Sequence, residues 1–347
     1  MQRISNDNVD RMIKAKLTKC EMNLMLFLSF YQDEYGRIYG VHYKDVSDKT
    51  GMSYQEFYNA KKSLEEKGFI HCEKSNRIDH DITLLNNTFL TREDDKKGYI
   101  NTSHNIFHTK EFYQMKAGAM LLAMKLMKNT YDERGYFLIG VKKFYEKYTQ
   151  IFGVTKRVLR NYLKQLKEFF SIGIKEGKYY IEPKKIIYRK PGGKSEAECL
   201  RQQRTEAVLR RNRIIDATEK ESGEICTFFR QYEAIAADKG KRLFFLLDKS
   251  IEKSVEQLNG DKKGKKDRFL SLALIHKLLR KELFEETGTS SLPLQDNTGI
   301  GQVPGAEGNA KQSAGATRKT RFHNFHQREY DYDQLERMLL ETQPGEV

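Results

Sequence analysis

The chain is poor in the residues that build disulfide, metal or redox centres. Its four cysteines, Cys20, Cys72, Cys199 and Cys226, are widely scattered, and no two have C-x-x-C spacing. That spacing argues against a disulfide scaffold and a zinc knuckle, and it fits a reducing compartment. Long apolar runs are missing as well. No stretch approaches the ~18 apolar residues that span a bilayer. The opening stretch MQRISNDNVD holds no apolar segment of the kind a secretory leader needs, which predicts a cytoplasmic protein. Catalytic signatures are also absent from the sequence. It contains no G-x-x-x-x-G-K-[ST], no H-E-x-x-H and no Cys/His cluster at metal-ligand spacing. Tyrosine is plentiful, at 19 residues, so a tyrosine nucleophile is open by count. Neither a clustered histidine or carboxylate site nor an arginine–histidine framework assembles around one. The expectation is a binding protein, not an enzyme, with no cofactor and no metal.

What the chain has is positive charge. Its 347 residues include 62 Lys+Arg against 48 Asp+Glu, a formal net charge of +14. Such a balance favours a polyanionic partner. Nucleic acid ranks first, with a membrane surface far behind. The length suits two or three domains.

The first half holds the same pattern twice. TKCEMNLMLFLSFY (18–31) predicts a helix, with Met22, Leu24, Met25, Leu28 and Tyr31 at helical spacing and a Thr18/Glu21 capping box. A short β-prone stretch follows between Gly36 and Gly40. VHYKDVSDKTG then predicts a short helix closed by Gly51. SYQEFYNAKKSLEEKG opens on a Ser53/Glu56 capping box and closes at Gly68. FIHCEK and DITLL complete the set as a hairpin. The second copy begins with a capped apolar helix over 108–129. RGYFLIG (134–140) is its short strand and VKKFYEKYTQIFG (141–153) its middle helix. TKRVLRNYLKQLKEFF (155–170) is its third helix, and SIGIKEGKYYIEP is a hairpin turning at Glu176-Gly177. Ser53 and Thr155 are 102 positions apart, and Gly36 and Gly135 are 99 apart. Matching order at matching spacing argues for two copies of one unit. Helix, strand, helix, tight turn, capped helix and hairpin is the layout of a winged helix-turn-helix. The expected fold class is therefore mainly α with small β wings: tandem winged helix-turn-helix domains, then a helical region and a flexible tail. The boundaries expected are 1–100 and 101–190 for the winged domains, 191–286 for a basic helical region, 287–320 for a disordered linker and 321–347 for a short recognition helix.

The third helix of each unit has two faces. In the second copy Val158, Leu159, Tyr162, Leu163 and Leu166 face the core, while Lys156, Arg157, Arg160, Asn161 and Lys164 point outward. Long cations with an amide suit phosphates and base edges. In the first copy Phe57, Ala60 and Leu64 form the core. Tyr54, Gln55, Tyr58, Asn59, Lys61 and Lys62 are the outward candidates. The second copy is expected to be the stronger phosphate binder, and the first to add selectivity. The plain alternative is that lysine-rich helical surfaces are merely solvated, with one of the two tyrosines half-buried. The hairpins would add Lys175 and Lys178, or Lys74 and Arg77.

Beyond Pro191-Gly192-Gly193 the chain turns basic. Lys184, Lys185, Arg189, Lys190, Arg201, Arg204, Arg210, Arg211 and Arg213 crowd together, either to track phosphates or as a solvated linker helix. Residues 226–286 predict further helices, in a small domain or a pair docked on the winged units. His276 among leucines predicts a packed or surface helical residue, not a ligand. Residues 287–319 have the composition of a linker. The tail RFHNFHQREYDYDQLERMLLE then predicts a short helix that is marginal alone and folds against something else. Phe322, Phe325, Arg328, Tyr330, Tyr332 and Leu335 are its candidate partner-binding residues.

That tail resembles the C-terminal end of many Firmicutes plasmid, phage and integrative-element replication proteins, initiator-like and DnaD-like ones among them. The shared N-F-x-Q-R-x-Y-D-Y-x-x-L-E box is carried here by Asn324, Phe325, Gln327, Arg328, Tyr330, Asp331, Tyr332, Leu335 and Glu336. Two winged units also resemble the origin-binding architecture of plasmid initiators. The middle helical region departs from the helical motif typical of the DnaD family. The resemblance implies initiation of replication on a mobile element, with double-stranded DNA at origin repeats as one partner and a host replication protein, met through the tail, as another. A transcriptional regulator with the same winged domains, and an adaptor using them for protein contacts, are the competing readings. Two tandem units could grip DNA as a monomer, and a homodimer is left open.

Overall fold

The computed structural model describes residues 2–73, 79–91, 96–132, 135–188, 195–214, 216–259 and 270–284. Lys74, Arg77, Arg189, Lys190, the linker and the whole tail from Phe322 to Leu335 lie outside the described residues. The described chain is mainly α-helical with small antiparallel sheets.

A short strand β1 (Arg3–Ser5) and a helix α1 (Asn6–Lys14) come first. The first unit then runs α2 (Lys19–Tyr31), β2 (Arg37–Val41), α3 (Tyr43–Thr50), α4 (Tyr54–Glu66), β3 (Ile70–Glu73) and β4 (His80–Leu84). A strand β5 (Tyr99–Asn101) pairs back with β1, and a 3-10 turn (Asn105–His108) follows. The second unit runs α5 (Lys110–Gln114), α6 (Ala117–Asp132), β6 (Phe137–Gly140), α7 (Val141–Phe152), α8 (Lys156–Leu166), β7 (Phe170–Lys175) and β8 (Lys178–Pro183). The two sheets match strand for strand, in the orders β2-β4-β3 and β6-β8-β7.

Local chemistry explains the repeated order. The Thr18 and Ser53 hydroxyls accept from the third backbone N–H of their helices, and Glu21 and Glu56 accept from the cap N–H at 2.7 and 2.8 Å. Each box satisfies two donors that a helix start otherwise leaves open. At α8 the Thr155 hydroxyl accepts from the Val158 N–H alone, with no reciprocal partner. Gly51 and Gly153 close α3 and α7 in the left-handed region, and their N–H groups donate to the Ser47 and Thr149 carbonyls, which ends each helix before the next begins.

The helix expected over 108–129 is broken. Thr109 does cap α5, but the helix stops at Gln114. Met115 turns extended, and the Lys116 N–H donates to Gln165 Oε1 of α8 at 3.1 Å. Phe112, Tyr113 and Met115 are all buried. The helix that restarts, α6, crosses α8 closely. A Cβ on Gly118 would sit 2.4 Å from the Tyr162 hydroxyl oxygen.

One apolar core runs from Ile4 to Ile187 through both units. A second core is built by α9 (Glu196–Arg211), α10 (Glu219–Asp238), α11 (Leu243–Asn259) and α12 (Leu272–Phe284). Tyr39 of β2 enters this second core and stacks on Phe244 at 5.0 Å. The contact is tight. Gly40 has φ +68°, and a Cβ there would meet the Ala207 Cβ of α9 at 2.2 Å. His276 is packed, stacked on Phe228 and 2.6 Å from the Tyr232 hydroxyl. Among the described residues, no helix is long and apolar enough to cross a membrane.

Candidate nucleic-acid interface

The helical period sorts α8 cleanly. Leu159, Leu163 and Leu166 are buried, with Val158 and Tyr162 half-buried beside them. Lys156, Arg157, Arg160, Asn161 and Lys164 are all exposed. The helix holds four cations and no carboxylate. None of the four forms an ion pair among the described residues. The Arg160 guanidinium lies 5.6 Å from the centre of the Tyr145 ring. The Tyr145 hydroxyl is 2.9 Å from that of Tyr179, which ties α7 to the hairpin behind the arginine. Burial, then the Tyr145 contact, pushes the Tyr179 hydroxyl up to about 12, so it stays protonated beside Arg160.

The hairpin continues this surface. Lys175 and Lys178 are a register pair on either side of the turn, and both are exposed. Glu176 and Gly177 have φ of 50° and 71°, the left-handed pair that a two-residue hairpin requires.

In the first unit α4 sorts in the same way but exposes different chemistry. Phe57, Ala60 and Leu64 are buried. Tyr54, Gln55, Asn59 and Lys62 are exposed, and Tyr58 and Lys61 are half-buried. Gln55 Nε2 donates to Asn59 Oδ1 at 3.0 Å. The Lys61 ammonium lies 5.4 Å from the Tyr58 ring centre and 3.4 Å from His80 Nε2. Burial, then Lys61, pulls the His80 pKa down and keeps the ring neutral. Lys62 lies 3.9 Å from Glu66. Two lysines on this helix face three glutamates, against four cations and none on α8.

The arginines of α9 are placed otherwise than either expectation held. They neither track an open groove nor cover a solvated linker. Arg204 meets Glu233 at 3.0 Å, and Arg210 meets both oxygens of Asp45 at 2.9 and 3.0 Å. Arg211 donates to Asp79 and Asp81, at 2.8 and 2.6 Å, with its side chain only 5% exposed. Gln203 Nε2 donates to the Tyr39 carbonyl at 2.7 Å. This helix is a docking face for the first unit, and its buried guanidiniums answer protein carboxylates. Burial pushes Asp81 up, and it pushes Asp248 up to about 6 against the pull of Arg211. Arg213, Lys184 and Lys185 are exposed.

Sequence reasoning missed these docking pairs because nothing local signals them. Arg210 and Asp45 are 165 positions apart, and Arg211 and Asp81 are 130 apart. Among the described residues no group of three His, Cys, Asp or Glu could hold a metal ion. Compared with known proteins, the chain matches no protein-family model, no curated protein and no solved structure.

Proposed function

We propose that the chain binds double-stranded DNA through two tandem winged helix-turn-helix units, and that it starts replication of a plasmid or other mobile element at origin repeats. The observation that supports DNA binding most directly is the α8 face, with four exposed cations, an exposed Asn161 and no carboxylate. In a winged unit the helix after the tight turn enters the major groove. Arg157 and Arg160 there would grip phosphates, and Asn161 would reach a base edge. Lys175 and Lys178 at the hairpin tip would meet the flanking backbone. Gln55 and Asn59 of α4 would add amide contacts with little phosphate grip. The replication role is supported by the resemblance of the box from Asn324 to Glu336, which would serve as a tethered contact for a host replication protein.

The test is sequencing of DNA fragments that the purified chain retains from the element encoding it. A cluster of short direct repeats is expected. A single palindromic operator would make the chain a transcriptional regulator, and no enrichment would contradict specific binding. Arg157→Glu with Arg160→Glu should lower duplex affinity on the order of 100-fold in ~0.1 M salt. Unchanged affinity with an intact helical signal would overturn α8 as the DNA-reading helix.

A further inference from the structure

The outward side of the first unit carries a continuous run of aromatic rings. His42 at the start of α3 lies 4.7 Å from Tyr43, and Tyr43 lies 4.9 Å from Tyr54. Tyr54 lies 4.5 Å from Tyr58, and Tyr58 lies 5.7 Å from His80 of β4. Five rings therefore link three elements in one surface line. Tyr54, at its centre, is 56% exposed. The rings meet at tilted or edge-on angles, so Tyr43 and Tyr58 prop Tyr54 in place instead of covering it. A large aromatic held outward and fixed by its neighbours is preorganised for a flat ligand.

The charge around the run argues about which flat ligand. A duplex would bring two dense phosphate rows against α4, where three glutamates outnumber two lysines. An unpaired strand can present base faces to the rings and turn its phosphates outward. It then needs only scattered cations. Lys61, 5.4 Å from the Tyr58 ring, and exposed Lys44, next to Tyr43, supply them. Burial lowers the pKa of both His42 and His80, so the imidazoles are neutral near pH 7 and offer π-faces.

We infer that this aromatic run binds unpaired bases of single-stranded DNA, while α8 and its hairpin hold duplex. The inference rests on the DNA-binding reading above and deepens it: α8 and its hairpin carry the phosphate grip on duplex, and the first unit, beside the amide contacts of Gln55 and Asn59, adds a hold on an unpaired strand. Stacking of this kind tolerates any sequence, because every base has a π-face.

The experiment titrates the full-length chain against fluorescein-labelled oligothymidylate and, separately, against a labelled duplex in ~0.1 M salt. Tyr54→Ala should weaken oligothymidylate binding about tenfold and leave duplex binding nearly unchanged. Tyr54→Phe should keep single-strand affinity, since the ring remains. The Arg157→Glu, Arg160→Glu variant should do the reverse of Tyr54→Ala. Native chain that ignores oligothymidylate, or Tyr54→Ala that alters neither substrate or both alike, would overturn the inference. Native chain that binds oligothymidylate through Tyr54 but no duplex would overturn the duplex reading alone. Tyr54 is exposed, so its truncation opens no cavity in the core.

Discussion

The third helix of the first unit, α4, carries two lysines and three glutamates. Its counterpart in the second unit, α8, carries four cations and no carboxylate. Both helices begin at a capping hydroxyl after a left-handed glycine, and both bury three apolar side chains. Caps, turns and the apolar stripe determine that a helix forms and which side is inward. The outward side is nearly free of those demands, so the two copies diverge there. Their surroundings differ too. The first unit is braced by α9, whose arginines reach Asp45, Asp79 and Asp81, whereas the α8 face is exposed.

The brace is the part of this comparison with the largest expected effect. Arg211→Leu leaves Asp79 and Asp81 buried without their guanidinium, which should cost about 3–5 kcal/mol of stability in urea unfolding. A loss under about 1 kcal/mol would mean that α9 merely rests on the first unit. Gly40→Ala comes next. The new Cβ must displace Ala207 from a backbone in the left-handed region, at a cost of roughly 2–4 kcal/mol. Neither change touches α8, so duplex affinity of the folded variant should hold.

The smallest effect is a pH dependence. Burial raises the Asp248 pKa from 3.8 in the unfolded chain to about 6. The folded chain therefore binds this proton more tightly. Between pH 4 and 6 this group makes the protein less stable as pH rises. Asp248→Asn removes that contribution. Relative to the native chain, the variant should do better at pH 7 than at pH 4 when both are unfolded in urea. An equal difference at the two pH values would mean that Asp248 is not desolvated against Arg211.

Legibility in the sequence followed distance along the chain. The Thr18/Glu21 and Ser53/Glu56 boxes, the turns at Gly51 and Gly153 and the two faces of α8 depend on neighbours within a few residues. Each is found where expected. The half-buried tyrosine of α4 is Tyr58, packed on Phe57. The pairing of β1 with β5 was invisible, because three-residue strands about a hundred positions apart carry no periodic signal. The interruption at Met115 depends on which neighbours bury it. The α9 arginines misled for the same reason: a sequence displays charges but not the carboxylates they will meet. The ring line from His42 to His80 needed the fold, which brings α3, α4 and β4 together.

The most direct test of the central claim is the salt dependence of duplex binding. Affinity should be measured across ~0.05–0.2 M salt for the native chain, for Arg157→Ala with Arg160→Ala, and for Lys61→Ala with Lys62→Ala. The arginine pair should flatten the log–log slope by about 2, near 0.9 for each lost phosphate contact, and the lysine pair should leave it nearly unchanged. A slope that responds to Lys61 and Lys62 but not to Arg157 and Arg160 would place the duplex on the first unit and contradict the account.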